Sequence, residues 1–145
     1  MPKLNDILAH LPADMQQRGK VWERYCRWFL AHDPRYRLLL KRVWLWSDWP
    51  GRWGPDKGID LIAEAHDGGL WAIQAKGYAE TTSITKDDVD SFLSESNRPQ
   101  ITFRLLLATT DLVGKNAREV LAHQEKGAAL LLRSDLLALD LDWPA

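Results

Sequence analysis

Three polar side chains, Asp60, Gln74 and Lys76, interrupt an otherwise apolar stretch and are of the types that assist hydrolysis beside a metal ion. Carboxylate and amide oxygens are hard ligands that suit Mg²⁺, which accepts few protein oxygens and keeps several waters. A lysine ammonium nearby could orient an attacking water and offset charge that develops on a phosphate. The residue types therefore indicate metal-assisted hydrolysis, provided that the fold brings them together.

The surrounding stretch predicts an antiparallel hairpin that would do so. Residues 58–64 and 70–76 are apolar and partly β-branched, as strands are. An Asp-Gly pair at 67–68 is a strong hairpin signal because both residues tolerate positive φ. The second strand runs back toward the start of the first, and alternation places Gln74 and Lys76 on one face. The alternative is that these charges merely solubilise the ends of a half-buried strand pair.

The composition is that of one soluble globular domain. Hydrophobic residues make up 46% and charged residues 27% of 145 positions. No run approaches the roughly 18 apolar residues of a membrane span, and the N-terminus lacks a signal pattern. Cys26 is the only cysteine, which excludes an internal disulfide, and four scattered histidines leave no zinc constellation. We expect a cytoplasmic protein with no membrane association.

Basic residues and tryptophans are unevenly distributed, although the net charge is only −1. Residues 18–42 contain eight basic side chains against two acidic ones. Such a segment could attract phosphates or simply be the solvated side of a helix and loop. Four of the eight tryptophans fall within ten positions. Trp44 and Trp46 are expected to be structural, whereas Trp49 and Trp53, in a Pro/Gly-rich loop, are candidates for a lid or contact surface.

The remaining patterns predict alternating helices and strands. Helices are predicted near residues 4–11, 19–32, 85–95, 115–126 and 134–139, and further strands over 43–46, 101–109 and 128–132. Thr85 and Asp88 form a capping-box pattern, Gly127 is expected to end one helix, and Ser134 to cap the last. The order predicts an α/β sandwich, a mixed sheet flanked by helices on both faces.

The motifs resemble one nuclease family in their types and order. Gly-Ile-Asp followed about a dozen residues later by Gln-x-Lys resembles the PD-(D/E)xK signature in its Gln-x-Lys form. The matching segments are Arg18-Gly19-Lys20-Val21-Trp22-Glu23, residues 43–50, Gly58-Ile59-Asp60-Leu61, Gln74-Ala75-Lys76, residues 86–92 and Thr109-Thr110. Together they resemble the N-terminal Mrr-like nuclease domain of Type I single-polypeptide restriction–modification enzymes and related large helicases.

This resemblance implies a restriction-endonuclease-like sandwich forming a single domain over residues 1–145. The chain would be either a stand-alone relative or the N-terminal part of a longer helicase or restriction protein. The implied catalytic residues are Glu23, Asp60, Gln74 and Lys76, of which the first three would bind Mg²⁺, with Mn²⁺ as a substitute. By position alone, Glu23 would be a helix-surface partner of a nearby arginine. A glutamine where an acid is more usual predicts weaker metal binding.

The implied function is that of a metal-dependent DNA endonuclease, the cleavage module of a restriction or phage-defence system. Double-stranded DNA is the expected partner, with motor or other restriction domains in cis or trans. Candidate DNA contacts are Arg18, Lys20, Arg52, Trp53 and Lys57, and Asp56 is either an accessory ligand or a turn residue. The alternative is a catalytically inactive nuclease-fold domain that binds nucleic acid or docks a partner.

Overall fold

The computed structural model describes residues 2–54 and 58–144, which fold around one five-stranded sheet with strand order β1-β2-β3-β4-β5. The strands are Leu40–Leu45 (β1), Leu61–Ala65 (β2), Leu70–Lys76 (β3), Ile101–Ala108 (β4) and Ala128–Leu131 (β5). Strands β1, β2 and β3 pair antiparallel, whereas β3, β4 and β5 pair parallel. The predicted mixed sheet is therefore confirmed.

Six α-helices and one 3-10 helix are formed by the described residues. The α-helices are Leu4–Ala9 (α1), Met15–His32 (α2), Pro34–Leu39 (α3), Lys86–Glu95 (α4), Lys115–Ala122 (α5) and Arg133–Leu137 (α6), and the 3-10 helix is Trp46–Asp48. The predicted capping box of α4 is confirmed, since Thr85 and Asp88 exchange hydrogen bonds. No helix in residues 2–54 and 58–144 has the length and apolar character to cross a bilayer.

Four predicted helix details are wrong. Helix α2 begins at Met15 rather than near residue 19, because the Asp14 carboxylate accepts a hydrogen bond from the Gln17 N–H (3.0 Å) and caps it. Helix α3 was not predicted. Helix α5 ends at Ala122, before Gly127, and Ser134 lies within α6 rather than at its N-cap.

The two faces of the sheet bury separate hydrophobic cores. Odd-numbered strand residues such as Leu61 and Ile73 pack with α1, α2 and α6. Even-numbered residues such as Ile62 and Ala72 pack with α4 and α5. This alternation is the two-residue period of a strand covered on both sides.

The β2–β3 hairpin forms as predicted. Gly68 has a φ of +93°, which glycine adopts without steric cost, and the Asp67 carboxylate accepts a hydrogen bond from the Gly69 N–H (2.8 Å). Leu61 pairs with Ile73 in the ladder. The start of β2 therefore lies beside the end of β3.

Candidate active site

Asp60 lies just before β2 and is held by both neighbouring strands. Its carbonyl accepts a hydrogen bond from the Trp46 N–H (2.9 Å), and its N–H donates to the Ile73 carbonyl (3.0 Å). Its carboxylate Oδ2 accepts a hydrogen bond from the Ala75 N–H at 2.8 Å. Ala75 is the middle residue of the Gln-x-Lys motif, so the hairpin brings the Asp60 carboxylate against that motif.

Gln74 is buried, with 3% of its surface exposed, and its amide is only partly satisfied. Nε2 donates to the Gly58 carbonyl (3.1 Å), whereas Oε1 has no hydrogen-bond partner among the described residues. A buried polar atom without a partner is costly, which favours a ligand at this position. An amide oxygen has the hard-donor chemistry of a Mg²⁺ site, and Gln74 directly precedes Ala75, whose N–H donates to the Asp60 carboxylate, so these residues fit the metal that the sequence implied.

Lys76 ends β3, and the backbone that follows it is fixed from two sides. The Arg18 Nε donates to the Gly77 carbonyl (2.7 Å), and the Thr109 hydroxyl donates to the Tyr78 carbonyl. The Thr109 N–H also donates to the Lys76 carbonyl (3.0 Å). The Lys76 ammonium lies 5.6 Å from the centre of the Tyr78 ring. The position of Lys76 is therefore set by contacts from distant parts of the chain.

Tyr78 and Asp88 form a hydrogen-bonded pair beside Lys76 that the sequence did not predict. The Tyr78 hydroxyl donates to Asp88 Oδ1 (2.8 Å). Burial, the hydrogen bond with Asp88 and the negative charges of Asp88 and Asp60 raise the pKa of Tyr78 well above its usual value, so the phenol stays protonated. The sequence indicated Asp88 only as a helix cap, because its second role depends on how α4 packs.

Asp88 itself stays ionised. Burial alone would raise its pKa, but hydrogen bonds from the Thr85 N–H and the Tyr78 hydroxyl, with the Lys76 charge nearby, lower the pKa overall. An anionic carboxylate therefore faces Lys76 from the α4 side of the sheet.

Helix α2 brings Glu23 to the other side of the site. Cys26, one turn further along α2, is fully buried. Burial raises the pKa of the Cys26 thiol well above its usual value, and the negative charges of Asp60 and then Glu23 raise it further. Both carboxylates therefore act on the same buried thiol, which places Glu23 and Asp60 in one neighbourhood.

A cleft of about 390 Å³ joins these two carboxylates to basic side chains. Its lining consists of Lys20, Glu23, Arg24, Leu45, Trp46, Ser47 and Asp60. Lys20 was predicted as a DNA contact, whereas Arg24 and Ser47 were not. The spacing of Lys20 and Arg24, four residues apart on α2, was the available signal, because such residues share a helix face.

The other predicted DNA contacts have varied surroundings. Arg18 donates to backbone carbonyls after Lys76, and Arg52 donates to the Trp49 carbonyl (3.1 Å). The half-buried Trp53 donates its indole N–H to Glu95 Oε1 (2.8 Å). Asp56 and Lys57 lie outside the described residues. Contact with DNA stays a prediction for the whole set.

Two expectations about tryptophans have different outcomes. Trp46 is 3% exposed and structural, as predicted. Trp49 is only 7% exposed, so the expectation that it forms a contact surface is wrong. It packs against Trp46 and Trp53, with ring centres 5.6 and 5.9 Å away. Loop composition suggested exposure, but the three rings bury one another.

Within the part of the chain that the structure describes, no group of three His, Cys, Asp or Glu side chains could hold a metal ion. A metal at this site would therefore have at most two such side chains as ligands among the described residues. Substrate oxygens or water would complete its coordination, as is usual for Mg²⁺.

Comparison with known proteins finds a matching family and similar folds. A family model described as a restriction endonuclease matches residues 31–145. The chain is 29% identical to part of the ATP-dependent Type ISP restriction-modification enzyme LlaBIII, solved bound to DNA, with a TM-score of 0.78. It is 18% identical to part of the MspJI restriction endonuclease, solved with a 27-mer oligonucleotide, with a TM-score of 0.55. No curated protein matches.

The matched regions are small parts of larger proteins. Each alignment covers 95% of this chain, but only 8% of the Type ISP enzyme and 32% of MspJI. The chain thus spans less than a third of either relative's length. Asp60, Gln74 and Lys76 fall within the region matched by the family model, whereas Glu23 precedes it.

Proposed function

This chain belongs to the restriction endonuclease family, and from that premise we propose that it hydrolyses DNA phosphodiester bonds with the help of a divalent metal ion. The observation that carries the proposal is the hydrogen bond from the Ala75 N–H to the Asp60 carboxylate. It joins an acid to a motif that contributes both a buried amide oxygen without a partner among the described residues and a lysine.

The proposed roles follow from the chemistry of each group. Asp60, the Gln74 oxygen and Glu23 would hold Mg²⁺, or Mn²⁺ in its place. When bound, that ion polarises the scissile phosphate and acidifies a water. Lys76 orients the attacking water and stabilises the charge that develops on the phosphate. Because Gln74 is neutral, two carboxylates balance the two charges of the ion, and the site does not become anionic toward DNA.

Two pairs of residues keep Lys76 in position in this mechanism. The protonated Tyr78 presents its ring 5.6 Å from the ammonium, and Asp88 holds the phenol through a hydrogen bond. Arg18 and Thr109 fix the carbonyls that follow Lys76. These four residues are positioning residues and need not touch the substrate.

We further propose that duplex DNA is the substrate and that a motor or other restriction domains act with this module in cis or in trans. The likeness to part of an ATP-dependent Type ISP enzyme supports this division of labour. Phosphate contacts from a basic helix carry no base information. Choice of sequence would then reside in other domains.

Cleavage of supercoiled plasmid in Mg²⁺ or Mn²⁺ tests the proposal. The wild-type chain should nick or linearise the plasmid, and Asp60→Ala and Lys76→Ala should each lose about 10²-fold or more of the rate. Glu125→Ala and Lys115→Ala are matched controls, because these charges are exposed and outside the site. Folding of every variant is verified by circular dichroism.

Two outcomes would contradict the proposal. Equal rates in the wild type and both site variants would mean that the activity lies elsewhere or in a contaminant. Tight duplex binding with no cleavage in either metal, by a folded chain, would favour the inactive DNA-binding alternative.

A further inference from the structure

We propose that Gly58 is a positioning residue, which turns the Gln74 amide so that its oxygen, and not its nitrogen, is presented to the metal ion. The proposal deepens the proposed function and rests on it, because it concerns how one ligand of the same site is oriented. It also gives a reason for the amide at position 74, where an acid is more usual.

The Gln74 amide has two orientations of nearly the same shape. Its oxygen only accepts hydrogen bonds, and its nitrogen only donates them. Mg²⁺ takes oxygen ligands, so a half-turn of the amide would replace a ligand by a group that cannot bind the metal. Gln74 is 3% exposed, so the choice between the two orientations is made by the protein rather than by solvent.

The Gly58 carbonyl makes this choice. It accepts a hydrogen bond from Gln74 Nε2 (3.1 Å). In the reversed orientation the Gln74 oxygen would face the carbonyl oxygen, and two acceptors in contact repel each other. Oε1 is left without a hydrogen-bond partner among the described residues. The backbone at position 58 therefore leaves the oxygen of the amide available as a ligand.

The Gly58 carbonyl is itself held in place by the two residues that follow it. Ile59 is 1% exposed and packs in the core on the α4 face of the sheet. The Asp60 N–H donates to the carbonyl of Ile73 (3.0 Å), the residue that directly precedes Gln74. The chain after Gly58 is thus fixed against β3, and the carbonyl has a defined position relative to the amide.

Glycine is required at position 58 by its conformation and by its surroundings. Its φ is +117°, which residues with a Cβ rarely adopt. An added Cβ would also lie 3.1 Å from the Phe92 nitrogen and 3.1 Å from the Ser91 carbonyl carbon, in the backbone of α4. A helix backbone cannot yield as the end of a flexible side chain can. A side chain at position 58 would therefore displace the carbonyl from the amide.

A glutamate at position 74 would not need this contact. Its two oxygens are equivalent when it is ionised, so either of them can bind the metal. One of them would instead lie against the Gly58 carbonyl oxygen, with no proton between the two acceptors. The chain pairs an amide with an accepting carbonyl, so the effects of changes at positions 58 and 74 should depend on each other.

A double-mutant cycle that measures metal affinity tests this dependence. Isothermal titration calorimetry with Mn²⁺, in the absence of DNA, compares the wild type, Gly58→Ala, Gln74→Glu and the double variant. Gly58→Ala should weaken Mn²⁺ binding about tenfold, as is usual when a group that orients a metal ligand is lost. In the Gln74→Glu background the same change should alter the affinity by less than about twofold, because no orientation has to be chosen.

Gly68→Ala is the matched control. Gly68 also has a positive φ, of +93°, but it lies in the turn at the opposite end of the β2–β3 hairpin. An added Cβ there would have no atom within 4 Å beyond its chain neighbours. Gly68→Ala therefore strains the backbone in a similar way, and it should leave the affinity for Mn²⁺ unchanged.

Nuclear magnetic resonance of the wild type keeps the test valid if Gly58→Ala fails to fold. The side-chain amide signals of Gln74 are those that disappear in Gln74→Glu. One of the two amide protons should exchange slowly with solvent, because it is donated to the Gly58 carbonyl. Mg²⁺ should shift the side-chain carbonyl carbon of Gln74, but not that of the exposed Gln16, while the slow exchange of the amide proton persists.

Three results would overturn the inference. Equal effects of Gly58→Ala in both backgrounds would mean that the glycine does not orient the amide. Rapid exchange of both Gln74 amide protons in the wild type would mean that the Gly58 carbonyl does not hold them. Failure of the folded wild type to bind Mn²⁺ would remove the ligand that the amide is proposed to face.

The proposed function is judged by a different measurement. Plasmid cleavage that depends on Asp60 and Lys76 would stand even if Gly58→Ala had equal effects in both backgrounds. A wild type that binds Mn²⁺ with the expected dependence between positions 58 and 74, but cleaves no DNA, would contradict hydrolysis and leave the role of Gly58 intact.

Discussion

The two faces of the sheet use tryptophan in different ways. On the α2 face, Trp22, Trp28 and Phe29 pack around Trp143, with ring centres 5.4–6.3 Å from it. Trp143 is 1% exposed. On the α4 face, Trp46, Trp49 and Trp53 pack together with ring centres 4.8–5.9 Å apart. We call these the Trp143 cluster and the Trp53 cluster.

Polar partners distinguish the Trp53 cluster. The Trp53 indole donates to the Glu95 carboxylate (2.8 Å), and the Arg98 guanidinium lies 4.0 Å from the centre of a Trp53 ring. The Trp46 indole donates to the Gly54 carbonyl (3.1 Å). In the Trp143 cluster, the Trp22 indole donates to the Leu107 carbonyl (3.2 Å) and the ring contacts are with other aromatic residues.

The difference follows from what each cluster supports. The Trp143 cluster holds α2, whose backbone groups are satisfied within the helix, so apolar contact is sufficient. The Trp53 cluster holds residues 49–54, the described start of the connection before Asp60, whose backbone groups need partners from elsewhere. An apolar core therefore positions Glu23 and its basic neighbours, whereas a polar network positions the approach to Asp60.

The largest expected effect is that of Trp143→Ala. Removing a fully buried ring should lower the free energy of unfolding by about 3–5 kcal/mol, a large part of the total for a domain of this size. Urea unfolding followed by circular dichroism measures it. Leu137→Ala, at a 37% exposed position, should cost far less. Similar losses for both variants would contradict the structural role of the Trp143 cluster.

Trp53→Ala should separate stability from activity. Because Trp53 is half-buried, Trp53→Ala should lower the free energy of unfolding by about 1–3 kcal/mol. The rate of plasmid cleavage should fall by a larger fraction of its wild-type value than the free energy of unfolding does. Trp53→Phe keeps a ring for Arg98 and removes only the bond to Glu95, so it should recover part of both. Two results together would contradict this difference between the clusters. They are a loss of unfolding free energy in Trp53→Ala as large as that in Trp143→Ala, and an unchanged rate of plasmid cleavage by Trp53→Ala at a temperature where it is folded.

Arg98→Ala should have a smaller effect of about 0.5–1 kcal/mol, since the cation–π contact is partly exposed. The Arg98–Glu95 ion pair (3.7 Å) is also partly exposed and adds little. Arg98→Lys should restore part of the loss, because lysine keeps the charge but not the planar stack. Thermal unfolding at low and high salt measures the contributions of the cation–π contact and of the ion pair. If neither variant changed the unfolding temperature, Arg98 would not stabilise Trp53, and of the two residues only Glu95 would do so.

The smallest expected effect is a dependence on pH that belongs to the α4 face. The folded state lowers the pKa of Asp88, so the unfolded chain binds more protons near its ordinary value of about 3.9. The stabilisation is present above that value and is lost as pH falls through the lower, folded pKa. Unfolding free energies between about pH 5 and pH 3 should fall more steeply for wild type than for Asp88→Asn. Parallel curves would exclude this contribution.

The sequence predicted those parts of the fold that depend on local chemistry. The Asp67-Gly68 turn and the Thr85–Asp88 capping box each involve residues within a few positions, and both formed as expected. Helix α3 was not predicted, because an Asp-Pro pair such as Asp33-Pro34 is also typical of the end of a preceding helix. Asp33 also caps α3, and proline is favourable at a first helical position. With no buried residue, α3 gave no apolar stripe.

The candidate site also has one part that local sequence predicted and another that depends on contacts between distant elements. The approach of Asp60 to the Gln-x-Lys motif follows from the hairpin register, and it was predictable. Glu23 was proposed only through the family resemblance, because the packing of α2 on the sheet is not a local property. The Tyr78–Asp88 bond, like the burial of Trp49, depends on contacts between distant elements. No periodicity indicates such contacts.

Cys26 is a natural probe of the local opening of α2, the helix that carries Glu23. Its thiol is fully buried and its pKa is raised by burial and by two nearby carboxylates, so in the closed state it reacts negligibly with alkylating reagents. Labelling can proceed only when α2 opens locally, and its rate reports the free energy of that opening. Because the chain has no other cysteine, mass spectrometry of intact protein gives this rate without any substitution.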